Sequence, residues 1–369
     1  MAPAPRVYAF VTNGRSHSLT VVDVAALRVV AEVPVGRGPT DVRAHPSRPE
    51  VYVVATDSNQ VIVVDPATRA VVARIPVGAR PFFLDFSPEG RRAYVANSGS
   101  HTLSVIDCEE QRLVATIPVG HGPGVARVTP DGALVVVSNR GDDSVSLVDA
   151  STLEVLATVA VAESPEAIAI LPDSSKAFVA ASARGQVSVV DLRRRQLLAN
   201  IPVGRTPVDL ALKPDGGELF VANFYSHSVT VINTWRNEVT ETLPVGRNPT
   251  RLVTSRDGSL LYITSFGSDQ VIVAEASTRR EVGSIPVGHQ PDATALTPGE
   301  DTLLVAGSRS NDLAVIRAGA RALSTLIPVG RSPRAIAVAV LPSTADRRPS
   351  EKPASQNVLE SEAAAPHKR

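Results

Sequence analysis

The sequence predicts an all-β protein: an eight-bladed β-propeller with four antiparallel strands per blade, closed by a composite blade from N- and C-terminal strands. Three observations carry this. The tripeptide Pro-Val-Gly recurs every 42 residues (76 − 34), beginning at Pro34, Pro76, Pro118, Pro202, Pro244, Pro286 and Pro328, with Ala160-Val161-Ala162 in the one gap. A second proline follows five residues later at the same spacing, from Pro39 to Pro333, so no net insertion interrupts the units. Each unit also divides into four short β-prone runs separated by turn residues.

Residues 81–120 show the elements in order. The first run, Pro81–Phe86, ends at Ser87-Pro88-Glu89-Gly90, where proline presets φ and glycine supplies positive φ. The second, Arg92–Ala96, ends at Asn97-Ser98-Gly99-Ser100-His101. The third, Leu103–Asp107, alternates and is β-branched, and the fourth, Leu113–Ile117, runs into Pro118-Val119-Gly120. None is long enough for a helix. One such sheet cannot bury both faces alone, so neighbours must flank it. Proline at the end of the fourth run suits an outer edge, because a residue without an N–H resists pairing with another molecule. Residues 7–33 supply only the second to fourth strands of a unit, and Pro333–Val340 supplies only a first. Joined, they complete the ring. The expected division is therefore a propeller over 1–341 and a disordered tail over 342–369, where the composition turns to Pro, Ser, Glu, Lys and Ala without a period.

Tyr94-Val95-Ala96-Asn97, Phe10-Val11-Thr12-Asn13 and Phe220-Val221-Ala222-Asn223, followed by Val-Ser-Val-Ile-Asp-like strands and Ile-Pro-Val-Gly loops, closely resemble the YVTN-repeat β-propellers. The resemblance spans residues 7–340. It implies a general scaffold, found in surface-layer and exported binding proteins, with architectural relatives among lactonases, streptogramin lyases and haem-binding propellers. Many of those are seven-bladed and secreted, and this chain departs on both counts. Eight blades also resemble the haem domain of cytochrome-type dissimilatory nitrite reductase, but no haem motif here matches residue by residue.

Composition narrows the function. The 37 basic and 37 acidic residues cancel, so no overall field draws the chain to nucleic acid or to a membrane surface. No apolar run approaches the roughly 20 residues that span a bilayer. The lone Cys108 cannot form an internal disulfide, which suits a reducing compartment. Met1–Arg6 lacks a basic n-region and cleavage site, so the chain as written is expected in the cytoplasm, or exported if its N-terminus has been trimmed. A monomer is expected. No Walker loop, dinucleotide fingerprint, HExxH, zinc-spaced cysteine pair or nucleophile elbow is present, so no nucleophile can be named and whether the protein is an enzyme stays open.

Functional side chains are sought where interblade loops and second-to-third-strand loops emerge on one face of the ring. The position after Pro-Val-Gly carries Arg37, His121, Arg205, Arg247, His289 and Arg331, with Arg80 one residue on in its loop and Glu163 interrupting the series. Convergent guanidinium groups suit a carboxylate or phosphate ligand, so these seven residues form a candidate basic mouth; solvated loop residues are the plain alternative. A polar channel cluster is expected from Arg43, Asp85 and Arg127, which share one first-strand position that is otherwise Ala or Val, together with Asp41, Asp209 and Arg251 two residues nearer the mouth. Such charges should pair across blades, because burying any one of them alone is costly. His17, His101 and His227 share a position held elsewhere by Asn, Asp or Gly, which points to a left-handed turn and to no metal. Asp23, Asp65, Asp107, Asp149 and Asp191 end third strands and read as Asx turns.

Two functions follow. The first is a non-catalytic binding or scaffold propeller that holds an anionic small molecule, peptide or protein at the basic mouth. The second is a lyase- or lactonase-type enzyme, or a protein handling a haem-like tetrapyrrole; no cofactor is otherwise indicated. The regularity of the repeat favours the first.

Overall fold

A computed structural model describes residues 6–341; the expected tail, 342–369, lies outside the described residues. The described chain forms eight four-stranded antiparallel sheets arranged as the blades of a closed ring. Blade 1 spans 6–34 and takes its inner strand from Pro333–Leu341. Blades 2 to 8 span 39–76, 81–118, 123–160, 165–202, 207–244, 249–286 and 291–328. Closure runs through an antiparallel ladder that pairs Val7 with Val340 and Val11 with Ile336. The composite blade is thus as the sequence predicts.

Among the described residues no single core is shared by all eight blades. The buried apolar residues fall into eight clusters, one at each blade interface. Alternation along a strand explains this. In the second strand of blade 2, Val51–Ala55, every residue is buried; Val51 and Val53 pack towards blade 1, while Tyr52 and Val54 pack towards blade 3. Successive side chains of a strand point to opposite faces, so a sheet sandwiched between two neighbours must be apolar at every position. Outer strands such as Ala70–Pro76 have one wet face and alternate between exposed and covered residues.

The glycine of Pro-Val-Gly has a steric cause. A Cβ on Gly78 would lie 2.6 Å from the side-chain Cγ of Asn97. That amide is fully buried and donates to the hydroxyls of Thr102 (3.1 Å) and Ser104 (2.9 Å). Gly120 meets Asn139, Gly204 meets Asn223 and Gly330 meets Asn13 in the same way. In blade 5 the asparagine position holds Ala181, and there the loop carries Ala162 in place of glycine. The small partner makes room for the methyl group.

The turn readings have direct counterparts. His17, His101 and His227 are left-handed, with φ of 58°, 58° and 53°. Their Nδ1 atoms accept the backbone N–H of Gly38, Gly122 and Asn248 at 3.1–3.2 Å. Asn59, Asp143, Asp269 and Asn311 accept the equivalent N–H with side-chain oxygens. The aspartate column caps backbone N–H groups two or three residues ahead, as Asp65 does for Ala67 and Asp149 for Ser151.

Candidate functional site: the central channel and its mouth

The inner strands of all eight blades surround a cavity of about 380 Å³ on the ring axis. The repeat sets which positions face it, and the residues that break the repeat give it chemistry. Asp41, Arg43, Arg127, Asp209 and Arg251 of the expected cluster all line it, and Asp85 lines an adjoining cavity with Arg127.

The carboxylates are committed to the backbone. Asp41 accepts the N–H of Leu84 (3.2 Å), Asp85 that of Val128 (3.1 Å) and Asp209 that of Leu252 (2.9 Å). Each bond runs from one blade's inner strand to the next blade's, stitching neighbours around the channel. A charge-assisted bond to an otherwise unpaired inner-edge N–H also satisfies a group that would be costly to leave bare. Burial raises the Asp209 carboxyl above its ordinary pKa, and Arg251 opposes that shift.

The arginines keep more of their capacity free. Arg43 reaches Asp41 through Nε at 3.4 Å, Arg127 stands 3.9 Å from Asp85, and Arg251 donates Nε–H to the carbonyl of Asp292 at 3.0 Å. Burial lowers the Arg127 pKa and the neighbouring Arg43 adds to the effect. In Arg43 burial also pulls downward, but Asp41 and Asp85 outweigh it and the pKa is raised. Both side chains stay about one-third accessible through the channel, at 33% and 35%.

Several channel groups escaped the sequence reading. The guanidinium groups of Arg43 and Arg127 each sit 4.7 Å from the ring centroid of Phe83, and that of Arg140 sits 5.5 Å from Phe82. Cations over an aromatic face are held by its quadrupole. Arg140 pairs with Glu166, and Arg334 stands 3.7 Å from Asp292. The available signal was the residue just after the second proline of each unit: Thr40, Phe82, Gly124, Glu166, Val208, Thr250, Asp292 and Arg334 hold no consensus in a repeat that is otherwise regular.

The candidate mouth residues Arg37, Arg80, His121, Arg205, Arg247, His289 and Arg331 are all exposed on interblade loops, and none lines the central cavity. Their backbones are seated over the blades: the N–H groups of Arg37, Arg205, Arg247 and Arg331 donate to Ser58, Ser226, Ser268 and Ser16. Arg37 and Arg205 then give side-chain N–H groups to the carbonyls of Asp57 and Tyr225. His121 and His289 pair with Asp142 and Asp269, each at 2.7 Å. Among the described residues no group of three or more His, Cys, Asp or Glu could hold a metal ion.

A model of the YNCE-like β-propeller family matches residues 109–213. No curated protein matches the sequence. Among solved structures the chain is similar to Kuenenia stuttgartiensis hydrazine synthase, at 21% identity and a TM-score of 0.64, over 76% of this chain and 95% of that one. It is similar to dihydro-haem d1 dehydrogenase NirN in complex with DHE, at 18% identity and a TM-score of 0.74, over 89% of this chain and 74% of that one. A functionally unknown protein from Desulfotomaculum acetoxidans aligns at 15% identity and a TM-score of 0.62, over 90% and 98%. At these identities the likeness is one of fold. The chain is an eight-bladed β-propeller, and its residues 109–213 match the YNCE-like β-propeller family.

Proposed function

We propose that this propeller is a non-catalytic binding protein that takes an anionic small molecule, or an acidic group of a peptide or protein, into the channel from its basic mouth. The observation that carries the reading is the division of labour in the channel: Asp41, Asp85 and Asp209 spend oxygens on backbone N–H groups, while Arg43 and Arg127 keep guanidinium donors accessible around Phe83. A carboxylate or phosphate can take two parallel N–H bonds from one guanidinium. The exposed arginines at positions 37, 80, 205, 247 and 331 add longer-range attraction that speeds arrival of an anion.

A tetrapyrrole-handling role is the second reading, supported by the fold shared with NirN, whose structure is a complex with DHE. The channel arginines suit the carboxylates of such a group. Among the described residues no His, Cys, Met or Tyr lines the central cavity, so no described side chain there offers a usual ligand to its metal.

Calorimetry against dicarboxylates, nucleotides and porphyrins at low and high salt tests both readings. Replacing Arg43 and Arg127 with glutamine should weaken the bound anion about tenfold or more, or about 1.4 kcal/mol. Saturable, salt-sensitive binding by the parent is required. Its absence, or equal binding by the double variant, removes the channel reading.

A further inference from the structure

A second depression of about 360 Å³, sharing Arg334 with the central cavity, lies on the mouth face where blade 8 meets blade 1, and Arg15, Arg309, Arg331 and Arg334 all line it. Against these four stands one carboxylate of the lining, Asp292, paired with Arg334. Among the described residues, Arg15, Arg309 and Arg331 form no ion pair. Elsewhere on the mouth Arg140 pairs with Glu166, Arg184 with Glu163, His121 with Asp142 and His289 with Asp269, while Arg37, Arg80, Arg205 and Arg247 are also in no ion pair among the described residues; what sets the seam apart is that four arginines line one depression.

The sequence repeat sharpens the contrast. Arg15 and Arg309 occupy one position in adjacent blades of the closed ring, and the other six blades have Asp57, Gly99, Gly141, Ala183, Tyr225 and Gly267 there. Arg334 is likewise the one arginine at its own position. Arg15 and Arg309 thus depart from the rest of their column on one side of the molecule, beside the regular Arg331 and beside Arg334, whose position has no consensus. Their backbones are fixed relative to one another: Arg15 N–H donates to the carbonyl of Arg331 at 3.1 Å, and Gly14 N–H to that of Ser332 at 2.9 Å. Random surface arginines chosen for solubility would gain nothing from this clustering, since like charges in one depression repel.

We propose that this seam depression is a second anion site, which binds a compact group bearing two or more oxyanions, such as a pyrophosphate or neighbouring carboxylates. Arg334 also lines the channel, but Arg15, Arg309 and Arg331 do not, and the proposal rests on those three. The position of the site adds a consequence: Arg15 comes from the N-terminal strands and Arg309, Arg331 and Arg334 from the C-terminal part of the chain, so a bound polyanion bridges the closure and stabilises the closed ring by mass action.

Titrating the full chain with inorganic pyrophosphate and with tricarballylate, followed by calorimetry and thermal unfolding, tests this. The parent should bind at least one of them saturably, less tightly at high salt, and melt higher when it is bound. Pyrophosphate alone or tricarballylate alone would name the anion type. The Arg15→Gln/Arg309→Gln variant should lose affinity about tenfold or more together with the thermal shift, while Arg91→Gln, in the loop between the first and second strands of blade 3, stays within about twofold of the parent. If the double variant fails to fold, Arg309→Lys, which keeps the charge but not the planar fork, should still show a smaller loss. No saturable binding by the parent, or binding unchanged in the seam variants, overturns the proposal. A loss caused equally by Arg127→Gln would assign the anion to the channel instead.

Discussion

Replacing Gly78 with alanine tests the steric rule behind Pro-Val-Gly. Gly78 is not among the glycines with positive φ, so an alanine there meets no left-handed penalty and the cost comes from packing. The new Cβ would stand 2.5 Å from Ser100 Oγ and 2.6 Å from the Asn97 side chain. Asn97 cannot simply swing aside, because doing so breaks its bonds to Thr102 and Ser104 in a fully buried slot. Overpacking of this kind costs about 1–3 kcal/mol, and each of the two lost bonds adds about 1 kcal/mol, so Gly78→Ala should destabilise by about 3–5 kcal/mol. The natural pair Ala162 and Ala181 shows the remedy: with the asparagine gone, the alanine's N–H still reaches Ser188 at 2.9 Å. Urea unfolding of Gly78→Ala, Asn97→Ala and the double variant closes a cycle. The two changes should couple favourably by more than about 1 kcal/mol. Additive effects, or a neutral Gly78→Ala, would refute the steric argument.

Two further outcomes are expected. His45, 6% exposed, accepts the N–H groups of Ser47 and Arg48 at Nδ1 and donates Nε2–H to the Gly90 carbonyl. Burial lowers its pKa below the ordinary value, with Arg48 adding to the effect, so its stabilising contribution is complete above the unfolded value of about 6.5 and is lost as pH falls through the folded one. Unfolding followed from about pH 7 down to about pH 5 should therefore narrow the stability gap between the parent and His45→Gln, whereas a constant gap would mean that protonation of His45 is not resisted. Removing residues 1–33 strips three strands from blade 1 and leaves Pro333–Leu341 without its ladder, so the product should aggregate; a monomer with unchanged melting would contradict closure through this pairing.

The ring was legible because strand period and turn chemistry repeat at a fixed spacing, so errors in any one unit are corrected by the others. Arg43, Asp85 and Arg127 were legible for the same reason, as charges in a column of alanine and valine. Phe82 and Glu166 were not, because the position they share has no consensus against which a departure can be seen, and Arg140, in a different column, lies 26 residues from Glu166 and meets it only across a blade boundary. The loop arginines show the other limit. Sequence register put Arg37 and Arg205 on the correct loops, but serine hydroxyls and nearby carbonyls, at Ser58 and Asp57 or Ser226 and Tyr225, decide where their backbones and side chains rest.

The pairing of Arg6–Asn13 with Pro333–Leu341 also sets a schedule for biosynthesis. Arg6–Asn13 pairs with Ser18–Asp23 at once, but its inner-edge partner is made only when Pro333–Leu341 emerges, and at roughly 5–20 residues per second that interval is roughly 15–65 seconds. Through that interval the nascent chain carries Val7-Tyr8-Ala9-Phe10-Val11 with an open backbone edge while seven further blades are being made. Blades 2 to 8 can each complete their own sheet during translation, but the joint between the two ends is necessarily the final event, and the opening strand is where a holding chaperone or a neighbouring nascent chain would first find purchase.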